Sequence, residues 1–267
     1  MKGKQMSELM KIAVVIDADN TQVSKISDVF REISTHGRIV VKRAYGNWQK
    51  EQLKNWEAEI KRLAIKAEQQ FDYVTGKNAT DMALVIGTME LLYTSSYDGF
   101  AIVSSDSDYT PLAIKLRESG VYVMGVGERK TPESFRNACD EFLFLENISG
   151  SQPETAPTAD SKAAPKTVAI SAGGKKTRVS KATDADSIDT IHDLLLKAYN
   201  TYQDDNGFAN LSAAGSFIKR AKPDFDCRTY GFTKLPSLLE AFPDRYKLRR
   251  SQGKGTTIIT FRCLKKK

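Results

Sequence analysis

Short apolar runs alternate with stretches of helical spacing along the first half of the chain. KIAVVID (11–17) is an apolar run ending in a carboxylate, the pattern of a buried parallel strand whose C-terminal end reaches the sheet edge. Asp19, Asn20 and Thr21 follow as good helix caps, and Val23, Ile26, Val29, Phe30 and Ile33 recur at helical spacing until His36-Gly37 stops the helix. RIVVKRAY (38–45) reads as a second strand, Trp48 to Gln70 as a long amphipathic helix, and Phe71 to Thr75 as a third short strand. Thr80 caps a helix that carries Met82, Val85, Ile86, Met89 and Leu92 on one face. GFAIVSSD (99–106) is a fourth strand ending in a carboxylate. Thr110 to Ser119 is helical and stops at Gly120, VYVMGVG (121–127) is a fifth strand, Pro132 to Ala138 a short helix, and EFLFLENI (141–148) a last strand. This alternation predicts an α/β domain over 11–148, with a central, mostly parallel sheet covered by helices on both faces.

The pattern breaks at residues 149–185, which are rich in Ser, Thr, Ala, Pro, Gly and Lys and nearly free of large apolar side chains; a flexible linker is expected there. Periodicity resumes over 186–264. Ile188, Ile191, Leu194, Leu195 and Ala198 line one helix, Leu211, Ala214, Phe217 and Ile218 a second, and Phe232, Leu235, Leu238, Leu239 and Phe242 a third. YKLRR (246–250), a turn at SQGKG (251–255) and TTIITFRC (256–263) follow. Three helices before a β-hairpin is the order of a small winged helix.

A length of 267 residues suits two modest domains, and the 40% hydrophobic content leaves enough material for a core in each. No apolar run approaches the roughly 20 residues a membrane span needs, and the polar start, Met1 to Met10, lacks a signal-peptide core, so no membrane partner and a cytoplasmic location are expected. Cys139, Cys227 and Cys263 are scattered, and His36 and His192 are the only histidines, which argues against a zinc site or a disulfide framework. The net charge of +7 is unevenly spread: −2 over residues 1–150, +3 over 151–185 and +6 over 186–267. A polyanion is the natural partner of the basic C-terminal part.

The candidate chemistry lies in acids. Asp17 and Asp106 end apolar strands, Asp19 and Asp108 follow two residues later, and Asp81 lies in the first turn of a helix. In open α/β sheets, ligands bind beyond the carboxyl ends of the strands, where acids distant in sequence converge. Such a cluster repels itself and calls for a hard divalent cation, Mg²⁺ or Mn²⁺, which can activate water and polarise a phosphoryl oxygen. Asp19 and Asp108 also suit helix capping, and Asp81 the helix dipole. Asp17 and Asp106 are costlier to explain structurally, because a carboxylate ending a buried strand must be paired. Asn20 can cap a helix or hold a water or phosphate. Lys77, in GKNATD, is a candidate for neutralising a phosphate, while Lys42 and Arg43 can be simple surface charges.

VVIDADN (14–20), GKNATDMALVIGTMELL (76–92) and AIVSSDSDYTPLAIKLRESGVYVMGVG (101–127) together resemble the NYN domain, a branch of the PIN-like nuclease superfamily. The resemblance covers about residues 11–148 and implies a Rossmann-like sheet with acids gathered around Mg²⁺ or Mn²⁺ for cutting RNA. It implies metal-holding roles for Asp17, Asp81, Asp106 and Asp108, with Asn20 as the Asn that follows the first acid. Ser105 stands where many relatives have Gly. IHDLLLKAY (191–199), ANLSAAGSFIKRAKPDFD (209–226) and YGFTKLPSLLEAFPDRYKLRR (230–250) resemble an OST-HTH (LOTUS) domain, a winged helix associated with RNA.

The residues of that second part fit RNA. Tyr230, Phe232 and Tyr246 lie among Arg228, Lys234, Arg245, Lys247, Arg249 and Arg250, with Lys254 in the wing. Basic groups give phosphate affinity and aromatics stack on bases, although Phe232 and Tyr246 equally suit a core. The expected function is a metal-dependent, endonucleolytic ribonuclease acting on single-stranded or structured RNA. The alternative is a non-catalytic RNA-binding regulator that uses the first domain as a scaffold. A nucleotide-binding Rossmann protein is disfavoured, since Asp17-Ala18-Asp19-Asn20 stands where a Gly-rich turn would be needed. The oligomeric state is open, with a homodimer as one expectation.

Overall fold

The computed structural model describes residues 9–72, 78–148, 187–252 and 257–264. The expected linker and the candidates Lys77 and Lys254 lie outside these residues.

The first domain is built on six parallel strands. They are β1 (Lys11–Asp17), β2 (Arg38–Gly46), β3 (Lys66–Gln69), β4 (Gly99–Val103), β5 (Tyr122–Gly127) and β6 (Glu141–Phe144), in the spatial order β3-β2-β1-β4-β5-β6. The direction of winding reverses between β1 and β4, so the crevice of the sheet opens there. Side chains alternate across β1. Ile12, Val14 and Ile16 pack with Val29, Phe30 and Ile33 of α1 (Ile26–Ile33), with Trp56 of α2 (Trp56–Leu63), and with Leu145 and Ile148 of α6 (Leu145–Ile148). Ala13 and Val15 pack on the other side, against Leu84 and Leu91 of α3 (Ala79–Thr94), Leu112 and Leu116 of α4 (Thr110–Glu118), and Phe135 of α5 (Glu133–Ala138). Two-residue periodicity therefore turns Asp17 toward the face that carries α3 and α4.

Four elements differ from the periodic reading. The expected helix from Trp48 to Gln70 is a short turn at Glu51–Leu53 followed by α2, which ends at Ala64 in the left-handed conformation (φ 52°). Ile65 then tucks into the core, and β3 pairs with β2 at 66–69; residues 73–75 of the expected strand at Phe71 to Thr75 lie outside the described residues. KAEQ has no large apolar residue because it is a charged edge strand, so hydrophobic spacing cannot reveal it. The last strand ends at Phe144, and Leu145–Ile148 turn into α6; a continuous apolar run leaves strand and helix undecided. In α3 the buried line is Thr80, Leu84, Gly87, Thr88 and Leu91, while Met82 and Ile86 are 57% and 63% exposed. A helix that is apolar nearly all round carries no directional signal, and close approach selects its smallest side. A Cβ on Gly87 would meet Tyr45 Oη at 2.3 Å.

The second domain has α7 (Ile188–Tyr202), α8 (Leu211–Ala221) and α9 (Leu235–Glu240) packed on a small antiparallel sheet in the order β7-β9-β8. Its strands are β7 (Ala209–Asn210), β8 (Tyr246–Gln252) and β9 (Thr257–Cys263). Phe232 and Phe242 flank α9 rather than belonging to it, and both pack on the core.

The second domain covers the β6 edge of the first. Phe142 N donates to Pro223 O at 2.9 Å, satisfying a donor that an uncovered edge would expose. Around it, Arg136 pairs with Asp224, Lys219 with Glu141, and Arg228 Nη2 with Glu32 Oε1 at 2.9 Å. Asn147 Nδ2 donates to Thr229 Oγ1 at 2.9 Å. Among the described residues, no helix is long and apolar enough to cross a membrane.

Candidate metal centre

The acids converge at the crevice between β1 and β4. Asp17, at the end of β1, is fully buried. Its Oδ2 accepts from Asn20 Nδ2 and from Ser104 Oγ, both at 2.9 Å. Ser104, just past β4, also accepts from Asp106 N at 3.1 Å, so one hydroxyl ties the two strand ends together. Asp106 Oδ1 accepts from Asp108 N at 2.9 Å and caps the turn at Ser107–Tyr109. The capping role weighed for Asp108 thus belongs to Asp106, and that weighed for Asp19 and Asn20 is not used: Asn20 holds Asp17, and Asp19 faces Lys50.

One carboxylate oxygen from each of Asp81, Asp106 and Asp108 lies within 4.8 Å of the others. Asp81 comes from the first turn of α3, and its Oδ1 accepts from the buried Tyr109 hydroxyl at 2.7 Å. Asp108 Oδ2 accepts from Asn78 Nδ2 at 2.9 Å. The Tyr109 hydroxyl, the Asn78 amide and the Asp108 backbone N–H that donate to this trio are neutral, so they orient the oxygens without cancelling the charge. An all-oxygen set of carboxylates, without an ion-pair partner among the described residues, fits a hard divalent cation and does not suit zinc. Asp81 and Asp108 border a cleft of about 540 Å³ whose walls include Met82, Val85, Tyr109 and Pro111.

Electrostatics record the crowding. Burial pushes the Asp17 carboxyl up, the Asn20 and Ser104 hydrogen bonds pull it down, and Asp81 pushes it up again. Burial likewise raises Asp81 against the Tyr109 hydrogen bond, with Asp106, Asp108 and Asp19 adding to the rise. Tyr109 is held neutral, chiefly by burial and by the Asp17 charge. Asp17 therefore shares the region of the trio but stands behind it, with no exposed oxygen.

Sequence reasoning missed Tyr109, Ser104, Asn78 and Lys50. Tyr109 and Ser104 flank the acids within SSDSDY, and their adjacency was the available signal. Lys42 donates to Leu63 O, and Arg43 pairs with Glu68, so both serve the fold.

The basic candidates of the second domain separate into two groups. Lys247 and Arg249 alternate outward along β8, opposite Arg262 and Thr260 of β9. The guanidinium groups of Arg249 and Arg262 lie 4.2 and 4.7 Å from the Phe208 ring centre. Arg262 was not anticipated. Lys234 is exposed before α9, and Arg250 pairs with Glu240. Arg228, expected on an RNA surface, pairs with Glu32 and Asp226 at the domain contact. Tyr230 is partly buried, its ring centre 6.2 Å from that of Phe225, and Tyr246 is buried in the core.

The NYN domain family model matches residues 11–146, and the OST-HTH/LOTUS domain model matches residues 186–258. No curated protein matches the chain. Among solved structures, a protein of unknown function from Vibrio parahaemolyticus is 16% identical, covers 54% of this chain and 98% of its own, and has a TM-score of 0.45. An uncharacterised protein from Nitrosomonas europaea is 25% identical over 39% of this chain and 93% of its own, with a TM-score of 0.27. A protein from Chromobacterium violaceum is 26% identical over 27% and 78%, with a TM-score of 0.24. The two family matches, in this order, support a nuclease-type, RNA-associated role. Since the first match spans just over half of the chain, this protein belongs to the NYN domain family and carries an OST-HTH/LOTUS domain behind the NYN domain.

Proposed function

We propose that this chain is a Mg²⁺- or Mn²⁺-dependent ribonuclease that hydrolyses phosphodiester bonds within an RNA strand, with a domain over 11–148 that cuts and one over 186–264 that grips. The observation that carries this reading is the approach of Asp81, Asp106 and Asp108 to within 4.8 Å at the crevice of the sheet. These three side chains would hold the ion. When bound, it supplies charge neutralisation and Lewis acidity at the phosphate. Tyr109 and Asn78 orient Asp81 and Asp108, and the Asp106 cap fixes the turn that carries Asp108. Asp17, with Asn20 and Ser104, locks the two strand ends in register behind them. Lys247, Arg249 and Arg262 form the outward basic face suited to the RNA backbone, with Lys234 exposed ahead of α9.

The test is incubation of the full chain with labelled RNA in Mn²⁺, Mg²⁺ or EDTA, beside Asp106→Asn. Cleavage is expected with either metal and to fall by about 10²-fold or more in the variant, the scale of losing one preorganised charged group. Cleavage unchanged by EDTA and by Asp106→Asn would refute the metal mechanism. RNA binding without turnover under every condition would favour the regulator reading.

A further inference from the structure

Two further carboxylates, Asp19, two residues beyond the end of β1, and Asp72, hold a basic side chain between them. Lys50 Nζ lies 3.4 Å from Asp19 Oδ1 and 3.2 Å from Asp72 Oδ2. The loop that carries Lys50 is built to hold it. Asn47 Nδ2 donates to the same Asp72 Oδ2 at 3.2 Å, Lys50 N to Asn47 O at 2.9 Å, Trp48 N to Gln69 Oε1 at 3.0 Å, and Trp48 Nε1 to Glu68 O at 3.0 Å. The Asp19 side chain is 14% exposed, and its charge acts on Asp81. Lys50 follows the end of β2, which pairs with β1 through Tyr45 and Asp17, so the ammonium lies at the same carboxyl edge of the sheet as the acids that would hold the ion. Among the described residues, Lys50 is the basic side chain in ion-pair contact with both Asp19 and Asp72.

We propose that Lys50 is the built-in second cation of the site: each chain takes one divalent ion, on Asp81, Asp106 and Asp108, and the Lys50 ammonium supplies the second positive charge beside the scissile phosphate. The inference rests on the nuclease reading above. A phosphodiester gains negative charge on its way to cleavage, on the oxygens around phosphorus and on the leaving oxygen, and two-metal nucleases answer it with two ions. Here the Asp19–Asp72 pair that could take a second ion is neutralised by an ammonium. A lysine suits the task better than an arginine fork, because it is a compact point charge with three donors on a flexible stem. It can keep one carboxylate while donating to a phosphate oxygen.

The experiment is calorimetric titration of the metal-free full chain with Mn²⁺, for wild type, Lys50→Gln and Lys50→Arg, followed by single-turnover RNA cutting by the same proteins. One ion per wild-type chain is expected. Lys50→Gln, relieved of a repelling charge, is expected to bind Mn²⁺ about tenfold tighter or to accept a second ion. Its kcat is expected to fall by about 10²-fold with KM changed much less, and Lys50→Arg to recover part of the loss. Two ions per wild-type chain at submillimolar Mn²⁺, or unchanged stoichiometry and affinity in Lys50→Gln, would overturn the proposal whatever the cutting rate. If wild type leaves RNA intact while the Mn²⁺ titrations come out as expected, the nuclease reading fails and the place of Lys50 beside the ion stands.

Discussion

The Tyr109 hydroxyl donates to Asp81 Oδ1 at 2.7 Å and joins a fully buried ring to a carboxylate of the candidate metal trio. This hydrogen bond holds the Asp81 carboxyl down against burial and against Asp106, Asp108 and Asp19, which push it up. Tyr109→Phe removes the donor and leaves the ring. The Asp81 pKa is then expected to rise further, so the acid limb of the pH–rate profile moves to higher pH. Mn²⁺ binding should weaken by roughly tenfold, the scale of a charged-group hydrogen bond of about 1.5 kcal/mol. Calorimetric titration and a pH–rate profile measure both effects.

Asp81 carries a cost in the metal-free protein. A carboxyl whose native pKa lies above its ordinary value of 3.8 keeps its proton longer than the unfolded chain does. Stability therefore falls as pH rises from below 3.8 through the native value, and the loss persists at neutral pH. Asp81→Asn is expected to stabilise the metal-free chain at pH 7, by less than about 1 kcal/mol because the site is open to solvent. The same variant should lose the metal-induced gain, which for wild type at a hundredfold excess over Kd is about 2.7 kcal/mol. Melting curves with Mn²⁺ and with EDTA decide it.

The His36–Glu141 pair of the first domain, beside the domain contact, has its own pH window. His36 Nε2 lies 3.0 Å from Glu141 Oε2, and this hydrogen bond raises His36 above its ordinary 6.5 against the opposing effect of burial. Burial pushes Glu141 up, but His36 and Lys219 outweigh it and hold the carboxyl at about 2. The raised histidine contributes stability that is complete below 6.5 and lost as pH rises through its native value. The depressed glutamate contributes stability that is present above 4.5 and lost as pH falls toward about 2. The His36–Glu141 pair is thus strongest between about pH 4.5 and the native pKa of His36. His36→Gln should cost about 1 kcal/mol in that window and flatten the alkaline decline of the melting temperature.

The outward face of β8 and β9 should be read by salt. Lys247→Ala and Arg249→Ala are each expected to weaken RNA binding and to lower the slope of log K against log salt by about one. Neither should alter Mn²⁺ affinity. Arg228→Ala should leave the slope alone and lower stability, because its charge is spent on Glu32 and Asp226. Anisotropy titrations at several salt concentrations separate the two classes.

Legibility tracked the physical signal in each segment. β1 and β4 were readable because both faces of each strand are buried, leaving an unbroken apolar run with an acid near its end. The edge strand β3 was invisible because it buries almost nothing, and α3 was misoriented because apolar residues surround it. Among the basic residues, Arg228 and Arg249 look alike in sequence. One meets Glu32, 196 residues away, and the other faces outward over Phe208.

What the chain determined by itself was local: strands and helices by periodicity, carboxylates at or near strand ends, and a basic surplus in the C-terminal part. Packing decided the rest. It selected Asp81, Asp106 and Asp108 as neighbours, moved Asp17 behind them, supplied Tyr109 and Ser104 as the groups that hold them, and brought Lys50 to Asp19. The reason is that periodicity follows burial within one element, whereas the sharing of charge among side chains depends on distances between elements, which are set by the small residues that let helices and strands approach.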